Sequence, residues 1–327
     1  MILMFTMFVM SASAADYSVK ADSPLKGVDV GFFGDSICAA NCEKGTAMES
    51  IRGWAGRIGH SNDMNWENHG VGGASVSTVR GDKTIYAQLE ASDIEDYEMI
   101  ILHGGTNDAW SGALVGRMTE PDEFDPSDSY ETGTFAGGLE QLFAYIRENN
   151  PDAIVGYIIN FKFIASTNGV QVQVPDGNGG TVTDYQLRHM EKYVETTKEI
   201  CDKWDVPYID LYSDDELTNK LHPVSGSGYA TTYLSDFVHP STAGYDLLTP
   251  YIEEFMIDIL EASQQTEATT TVATESTTIP TTVPETNATQ TEAEEKSGCG
   301  AFIGGSAILA VATLGVSAVA LKKGKEI

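Results

Sequence analysis

A serine and an aspartate–histidine pair stand far apart in this 327-residue sequence, each in a context suited to nucleophilic chemistry. Ser36 follows closely on the apolar run 28–33, whose Val and Phe residues are typical of a buried strand. Asp236 precedes His239 by three residues, just ahead of an amphipathic segment. This spacing lets one loop present both side chains, so that the carboxylate can hold an imidazole that activates a hydroxyl. The three residues together predict catalysis by a nucleophilic serine.

Two further loops carry hydrogen-bond donors that such a reaction uses. Asn107 follows the apolar run 98–102 and offers a side-chain amide at a strand end, and the glycine-rich loop 68–75 offers backbone N–H groups. In open α/β sheets ligands bind beyond the carboxyl ends of the strands, so we expect both loops to lie near Ser36. An ordinary strand-to-loop corner is the alternative for Gly34-Asp35-Ser36, because these residue types also favour turns.

Four sequence blocks, taken in order, resemble the SGNH hydrolases, also known as the GDSL-type esterase superfamily. The blocks are Gly34-Asp35-Ser36, 68–73, Gly105-Thr106-Asn107-Asp108 and 236–239. The resemblance extends from about residue 28 to about residue 260. It implies an α/β fold, a three-layer α/β/α sandwich around a flavodoxin-like, mainly five-stranded parallel sheet. It also implies hydrolysis of an ester through an acyl-enzyme, and we expect neither a cofactor nor a metal ion.

The resemblance also implies a role for each residue of the site. Ser36 would supply the nucleophile, His239 would take its proton, and Asp236 would fix the imidazole and stabilise its charged form. The donors to the oxyanion would be the backbone N–H groups of Ser36 and Gly73 and the side-chain amide of Asn107.

The remaining polar and glycine residues of these blocks are expected to support the site rather than react. The family pattern places the loop donor at Gly73, which leaves Gly70 and Gly72 as glycines of a tight turn. We interpret the acidic side chains as loop-positioning residues and the neighbouring histidines as structural ones. These residues are Asp35, Asp108, His69 and His103.

Strands that alternate with helices predict a parallel sheet with both faces covered. The predicted strands are 28–34, 64–68, 99–103, 153–159 and 206–211. The predicted helices are 49–60, 84–89, 135–149, 185–204 and 241–260, and we predict a hairpin over 170–183. The segment 111–134 has little periodicity and is predicted to be a long loop that lines the site.

The charge balance excludes some classes of partner. The chain has 19 Lys and Arg residues against 48 Asp and Glu residues, which gives a net charge of −29. Nucleic acid and anionic membrane surfaces are therefore not expected as partners. We expect a monomer that acts on a small-molecule or polysaccharide ester.

Both ends of the chain differ in composition from the middle. Residues 1–15 join an apolar run to small residues and are typical of a signal peptide, although no Lys or Arg precedes the run. The esterase domain is expected over 16–261, followed by a disordered Thr/Glu-rich stalk over 262–297. A membrane anchor is expected over 298–327, with its lysines in the cytoplasm and the domain on the outer face of the cell.

Three alternatives stay open at this stage. A surface carbohydrate-binding protein would keep the fold without the chemistry, and an acyltransferase would use the same residues with a sugar hydroxyl in place of water. A nucleotide-binding protein is disfavoured, because Gly34-Asp35-Ser36 is too short for a phosphate loop. An external acetylated polymer is the expected substrate.

The cysteines leave two possibilities open. Cys38 and Cys42 either form a disulfide or stay reduced, whereas Cys201 is expected in the core.

Overall fold

The computed structural model describes residues 17–40, 51–118, 131–162, 171–175, 181–185, 190–221, 232–236 and 238–275. The predicted signal peptide (1–15) and membrane anchor (298–327) lie outside these ranges. No helix in the described ranges combines the length and the apolar composition needed to cross a membrane.

The order of elements alternates strands with helices. The strands are β1 (Asp29–Gly34), β2 (Asn65–Asn68), β3 (Met99–Gly104), β4 (Ile154–Ile159), β5 (Gln171–Pro175), β6 (Thr181–Tyr185) and β7 (Tyr208–Asp210). The helices are α1 (Ser36–Ala39), α2 (Gly53–Ser61), α3 (Ile85–Glu90), α4 (Thr106–Ser111), α5 (Phe135–Asn149), α6 (Met190–Lys203), α7 (Asp215–Leu221) and α8 (Thr242–Glu275). Two short 3₁₀ helices, Thr78–Arg80 and Ile94–Asp96, flank α3.

The central sheet is the predicted five-stranded parallel sheet, and its order is β2-β1-β3-β4-β7. β1 lies in the interior, with β2 on one side and β3 on the other, so the chain reverses its direction of winding at β1. Such a reversal opens a crevice at the carboxyl ends of the strands, which is where ligands bind in this class of fold. The predicted hairpin is also confirmed, because β5 and β6 pair in antiparallel fashion.

Both faces of the sheet are buried, as the three-layer architecture requires. On β1, Val30 and Phe32 pack with residues of α2 and α8, while Phe33 packs on the opposite face with residues of α3, α5 and α6. This alternation follows from the two-residue period of a strand and explains why the strand is apolar at successive positions. The fold class predicted from the sequence is therefore confirmed.

Two helices begin later than predicted. The segment 49–60 was predicted to be helical, but α2 begins at Gly53, which has a φ of 66°. A Cβ at Gly53 would lie 2.6 Å from the Cβ of Ala40, so a close approach to the chain after α1 fixes this start. The predicted helix 185–204 begins at Met190, because Tyr185 pairs with Gln171 in the β-hairpin.

One helix ends later than predicted. α8 continues to Glu275 instead of ending at residue 260, and it enters the range predicted as a disordered stalk. Residues 261–268 are mostly Ala, Gln and Glu, which favour helices, and no Gly or Pro interrupts the chain between there and residue 280. By its contacts the chain divides into a unit over Met1–Ser263 and a second over Gln264–Ile327. The rest of the predicted stalk lies outside the described residues.

Two of the cysteines, Cys38 and Cys201, lie within the described residues. Cys38 is a buried free thiol on α1, whose Sγ lies 3.5 Å from the Asn68 Oδ1, and burial raises its pKa. Cys42 lies outside the described residues. Cys201 is buried in the core, as predicted.

A buried arginine joins α2 to the start of α8, the helix that follows the His239 loop. The side chain of Arg57 is 1 % exposed, and its Nε donates to the Asp246 Oδ1 at 3.0 Å. The Tyr17 hydroxyl donates to the same oxygen at 2.6 Å, and the Arg57 Nη1 donates to the carbonyl of Gly53 at 3.1 Å. The sequence pattern did not single out Arg57, because an arginine between apolar helix positions is usually read as exposed.

Asp246→Ala should lower the free energy of unfolding by about 3–5 kcal/mol, because it leaves the buried Arg57 guanidinium without its carboxylate. Urea unfolding followed by circular dichroism measures the loss. Asp258→Ala, which removes an exposed aspartate from the same helix, is the matched control and should stay within about 0.5 kcal/mol of the natural sequence. Equal losses in both variants would contradict a stabilising role for this ion pair.

Candidate active site

The structure brings Ser36, His239 and Asp236 into one line of hydrogen bonds. The His239 Nε2 lies 2.8 Å from the Ser36 Oγ, and the His239 Nδ1 lies 2.8 Å from the Asp236 Oδ2. Ser36 is separated from His239 by 203 positions along the chain. The arrangement is that of a serine nucleophile, a base and an orienting carboxylate, in which the Asp236 carboxylate selects the imidazole tautomer with a proton on Nδ1.

The loop that carries the base is closed by its own hydrogen bonds. The Asp236 Oδ1 accepts the N–H groups of Val238 and His239, both at 2.7 Å. The Ser235 N–H donates to the carbonyl of His239 at 2.9 Å. The two oxygens of Asp236 therefore have separate tasks, because one shapes the loop and the other holds the imidazole.

These contacts also set the charge of Asp236. Partial burial opposes ionisation, but the His239 N–H, its imidazole and the Val238 N–H outweigh that effect and lower the pKa of Asp236 below its usual value. Asp236 is thus a carboxylate at neutral pH, which is the form that stabilises an imidazolium.

Ser36, the candidate nucleophile, begins a short helix. Ser36 is the first residue of α1, so the chain enters a helix at this point and does not form the plain strand-to-loop corner given as the alternative. Asp35 caps this helix, and its Oδ1 accepts the Ile37 N–H at 2.9 Å. As the first residue of a helix, Ser36 has an N–H that no carbonyl of the same helix accepts. That N–H is available to a ligand at the strand edge.

His69 and His103, the two other histidines near the site, make packing and polar contacts with neighbouring side chains. His69 stacks on Phe33 with ring centroids 4.7 Å apart, and its Nε2 lies 2.7 Å from the Tyr97 hydroxyl. Burial lowers the pKa of His69. His103 pairs with Gly34 of β1 in the sheet, and its Nδ1 lies 3.6 Å from the Asp35 Oδ1, which is too far for a hydrogen bond.

The glycine-rich loop forms a turn of the kind that requires glycine. The Ala74 N–H donates to the carbonyl of Val71 at 2.9 Å, and Gly73 has a φ of 83°. These features define a β-turn with glycine at the position of positive φ. Gly72 therefore lies in the predicted turn, and the turn's own hydrogen bond leaves the N–H of Gly73 unused.

Gly70 has a different role from the one predicted. A Cβ at Gly70 would lie 2.7 Å from the backbone nitrogen of Ala39 in α1, so close packing explains this glycine. Asn68 joins the same two segments, because its Nδ2 donates to the carbonyl of Cys38 at 2.9 Å and its Oδ1 accepts the Gly70 N–H at 3.0 Å. The glycine-rich loop is thereby fixed against the helix that begins with Ser36.

Asn107 is the second residue of α4, directly after β3. Its Nδ2 donates one hydrogen to the carbonyl of Ala74 at 2.9 Å, and its Oδ1 accepts from the Arg80 Nη1 at 3.1 Å. A primary amide has two N–H bonds, so the second hydrogen on Nδ2 is left for a ligand. Sequence reasoning missed Arg80, because nothing in the sequence around it marks it as part of this site.

Asp108 fixes the other side of α4. It is fully buried, and it accepts the Val76 N–H at 2.8 Å, the Ser77 N–H at 2.8 Å and the Ser77 hydroxyl at 2.6 Å. Burial raises the pKa of Asp108, and these hydrogen bonds oppose that effect. The geometry matches the loop-positioning role expected for this residue.

Within the described ranges, no group of three His, Cys, Asp or Glu side chains is arranged to hold a metal ion.

Asp108→Asn should destabilise the protein by at least about 2 kcal/mol, because one carboxylate oxygen becomes an NH₂ group that faces backbone donors. The value of kcat should also fall, since Asp108 and Asn107 are neighbours on α4. Thermal unfolding and ester hydrolysis measure the two effects. Ser77→Ala removes one of the three donors and should cost less stability. A fully stable Asp108→Asn variant would contradict this role.

Comparison with known proteins identifies a family for this chain. The family model of the GDSL-like Lipase/Acylhydrolase family matches residues 32–247, which include the Ser36, Asn107 and His239 positions. Among curated proteins, none matches the sequence.

Solved structures of bacterial proteins share the fold at low sequence identity. A possible lipase from Chitinophaga pinensis has a TM-score of 0.51 and 17% identity, and the alignment covers 72% of this chain and 98% of that one. A protein from Lactobacillus plantarum has a TM-score of 0.50 and 20% identity, with 71% and 97% covered. From the match over residues 32–247 we conclude that this chain belongs to the GDSL-like lipase/acylhydrolase family.

Proposed function

We propose that this protein hydrolyses carboxylic esters through an acyl-enzyme on Ser36. The observation that carries the proposal is the pair of 2.8 Å contacts that join the Ser36 Oγ to His239 and His239 to Asp236. A hydroxyl within hydrogen-bond reach of a base, itself held by a carboxylate, is the arrangement that activates serine.

The first half of the reaction transfers the acyl group to the enzyme. The Ser36 Oγ attacks the carbonyl carbon while its proton passes to the His239 Nε2. The tetrahedral intermediate then collapses, the bond to the alcohol oxygen breaks, and the imidazolium returns the proton to the leaving alcohol. The product is an ester between Ser36 and the acyl group, and no oxidant or reductant is needed.

The second half releases the acid. Water donates a proton to the His239 Nε2 and attacks the acyl carbon, and the bond to the Ser36 Oγ breaks as that oxygen regains a proton. Negative charge develops on the carbonyl oxygen in both halves. The N–H groups of Ser36 and Gly73 and the remaining hydrogen on the Asn107 Nδ2 are the proposed donors, and one such donor typically contributes about 10²–10³ in kcat.

For the substrate, we propose an O-acetyl ester on an external carbohydrate. Trp110 lies on α4 one turn after Asn107, and its side chain is 36% exposed. An exposed aromatic ring on the same helix as Asn107 offers an apolar face on which a sugar ring can pack. The signal-like composition of residues 1–15 supports an external substrate.

A fluorophosphonate probe tests the proposed nucleophile. One label per chain should appear on Ser36, because the Oγ displaces fluoride from phosphorus, and Ser36→Ala should lose both the label and the esterase activity. Ser213→Ala, which changes an exposed serine that bonds to Lys198 and Asp210 and not to His239, should retain both. Labelling at another residue, or activity that survives in Ser36→Ala, would contradict the assignment.

The same enzyme preparation tests the substrate. Acetylated oligosaccharides should release acetate, and p-nitrophenyl esters should react more slowly as the acyl chain lengthens. Transfer of the acetyl group to an added sugar in place of release would identify an acyltransferase. Binding of the glycan without turnover would identify a carbohydrate-binding protein.

The pH profile tests the base. His239 must be neutral to accept the proton of Ser36, so kcat/KM should decrease toward acid with a slope of one. The pKa of Asp236 is held below its usual value, so Asp236 stays ionised and adds no second step in that range. Asp236→Asn should lower kcat by on the order of 10⁴-fold, as expected when the imidazole takes the wrong tautomer. A flat profile between about pH 5 and 8 would contradict a histidine base.

We also propose that the enzyme works outside the cell, held at the membrane. The support is compositional: the apolar run near the start and the apolar segment 301–321 followed by lysines. Protease added to intact cells should release an active fragment that ends beyond residue 260. Release only after cell lysis would contradict this location.

A further inference from the structure

An arginine that no sequence motif identifies connects the two loops of the proposed oxyanion hole. Arg80 ends the 3₁₀ helix Thr78–Arg80. Its Nη1 donates to the Asn107 Oδ1 at 3.1 Å and to the carbonyl of Gly73 at 3.3 Å, and its Nε donates to the Ser111 Oγ at 2.9 Å. One guanidinium thus contacts the loop after β2 and the helix after β3.

The Arg80 guanidinium favours one orientation of the Asn107 amide. Because a guanidinium has only donors, the oxygen of the amide must lie on the Arg80 side. The NH₂ group then lies on the opposite side, where one hydrogen bonds to the carbonyl of Ala74. The other hydrogen is the one available to an oxyanion. Without Arg80, the bond to the Ala74 carbonyl alone would oppose rotation of the amide by half a turn, a rotation that presents an oxygen to the developing negative charge.

The contact with Gly73 limits a residue that otherwise has much conformational freedom. Gly73 has a φ of 83° and no side chain to hold it in place. A hydrogen bond from Arg80 to its carbonyl fixes the peptide that follows, and with it the turn that presents the Gly73 N–H.

Arg80 is itself held from α4. Ser77 caps the 3₁₀ helix through its hydroxyl, which accepts the Val79 N–H at 3.4 Å, and Asp108 binds Ser77. Together with the bond from Arg80 to Ser111, this fixes the arginine at both ends. A planar donor group held in this way loses little freedom when it binds two oxygens.

We infer that Arg80 is a positioning residue of the oxyanion hole, which aligns the Asn107 amide and the Gly73 turn before a substrate arrives. The inference rests on the proposed function. Preorganised donors cost no reorganisation at the moment when charge develops, so Arg80 should act on kcat and hardly on KM.

Lys83 supplies the matched control for charge. Its Nζ would lie 3.6 Å from a Cβ placed on Gly73, so it puts a positive charge beside the same loop. Removal of Lys83 tests the field of a nearby cation. Removal of Arg80 tests the field together with the directed hydrogen bonds.

The first measurement is the kinetics of the full chain on p-nitrophenyl acetate. Arg80→Met should lower kcat by about 10- to 100-fold with KM changed less than about 3-fold, a smaller loss than removal of a donor outright. The kcat of Arg80→Lys should lie between that of Arg80→Met and that of the natural sequence, because an ammonium keeps the charge but lacks the planar fork of donors. Lys83→Met should change kcat by less than about 3-fold. Melting temperatures check that each variant is folded.

A double-mutant cycle separates positioning from a general structural effect. Asn107→Ala should lower kcat by about 10²–10³, and the addition of Arg80→Met to it should cost much less than it does in the natural sequence. Fully additive losses would overturn the inference for the Asn107 amide, because they would mean that Arg80 does not act through it. A rise in KM with kcat unchanged would also overturn it and would make Arg80 a substrate-binding residue.

Fluorophosphonate labelling keeps the two levels of the proposal apart. If the natural sequence labels at Ser36 and Arg80→Met labels more slowly, both the proposed function and the inference are supported. If both proteins label at the same rate, the inference fails and the proposed function stands. If the natural sequence neither labels at Ser36 nor hydrolyses esters, the proposed function fails, and the inference fails with it.

Discussion

The parallel pairing of β1 with β3 is the constraint on which the site depends. Gly34, the last residue of β1, lies opposite His103 of β3, so Ser36 and Asn107 emerge side by side at the same sheet edge. A Cβ at Gly34 would lie 2.4 Å from the carbonyl oxygen of His103, so glycine is required at this crossing. The order of the sheet, with β1 between β2 and β3, then brings the glycine-rich loop to the same edge.

Strand ends leave backbone groups unpaired, and in this protein polar side chains from neighbouring loops satisfy many of them. Asn68 ties the glycine-rich loop to α1, and Asp108 ties the loop after it to α4. Arg80 joins the glycine-rich loop to α4, because it donates to the Gly73 carbonyl and to the Asn107 Oδ1. Because each side chain joins two separate segments of the chain, the proposed oxyanion donors are held in place by the fold itself. Donors that are fixed before the reaction stabilise developing charge most effectively.

The proposed base, His239, is supported from a different part of the fold. His239 lies three residues before α8, and the contact of Arg57 with Asp246 holds the first turns of that helix against α2. The Ser36 side of the site rests on the sheet, whereas the His239 side rests on this helix pair. The 2.8 Å bond between them therefore depends on the packing of both, although neither Arg57 nor Asp246 touches it.

The sequence by itself determined the five parallel strands and the residues most suited to catalysis, because apolar runs and the spacing of Asp236 and His239 are local features. It did not determine that α2 begins at Gly53 or that α8 continues to Glu275. The first depends on contact with Ala40, and the second continues past residue 268 through Thr and Val, whose helix propensity is low. Only the tertiary structure assigned a role to Arg80. Its partners lie 7, 27 and 31 positions away, and a surface arginine has no periodicity or motif that reveals which distant oxygens it will meet.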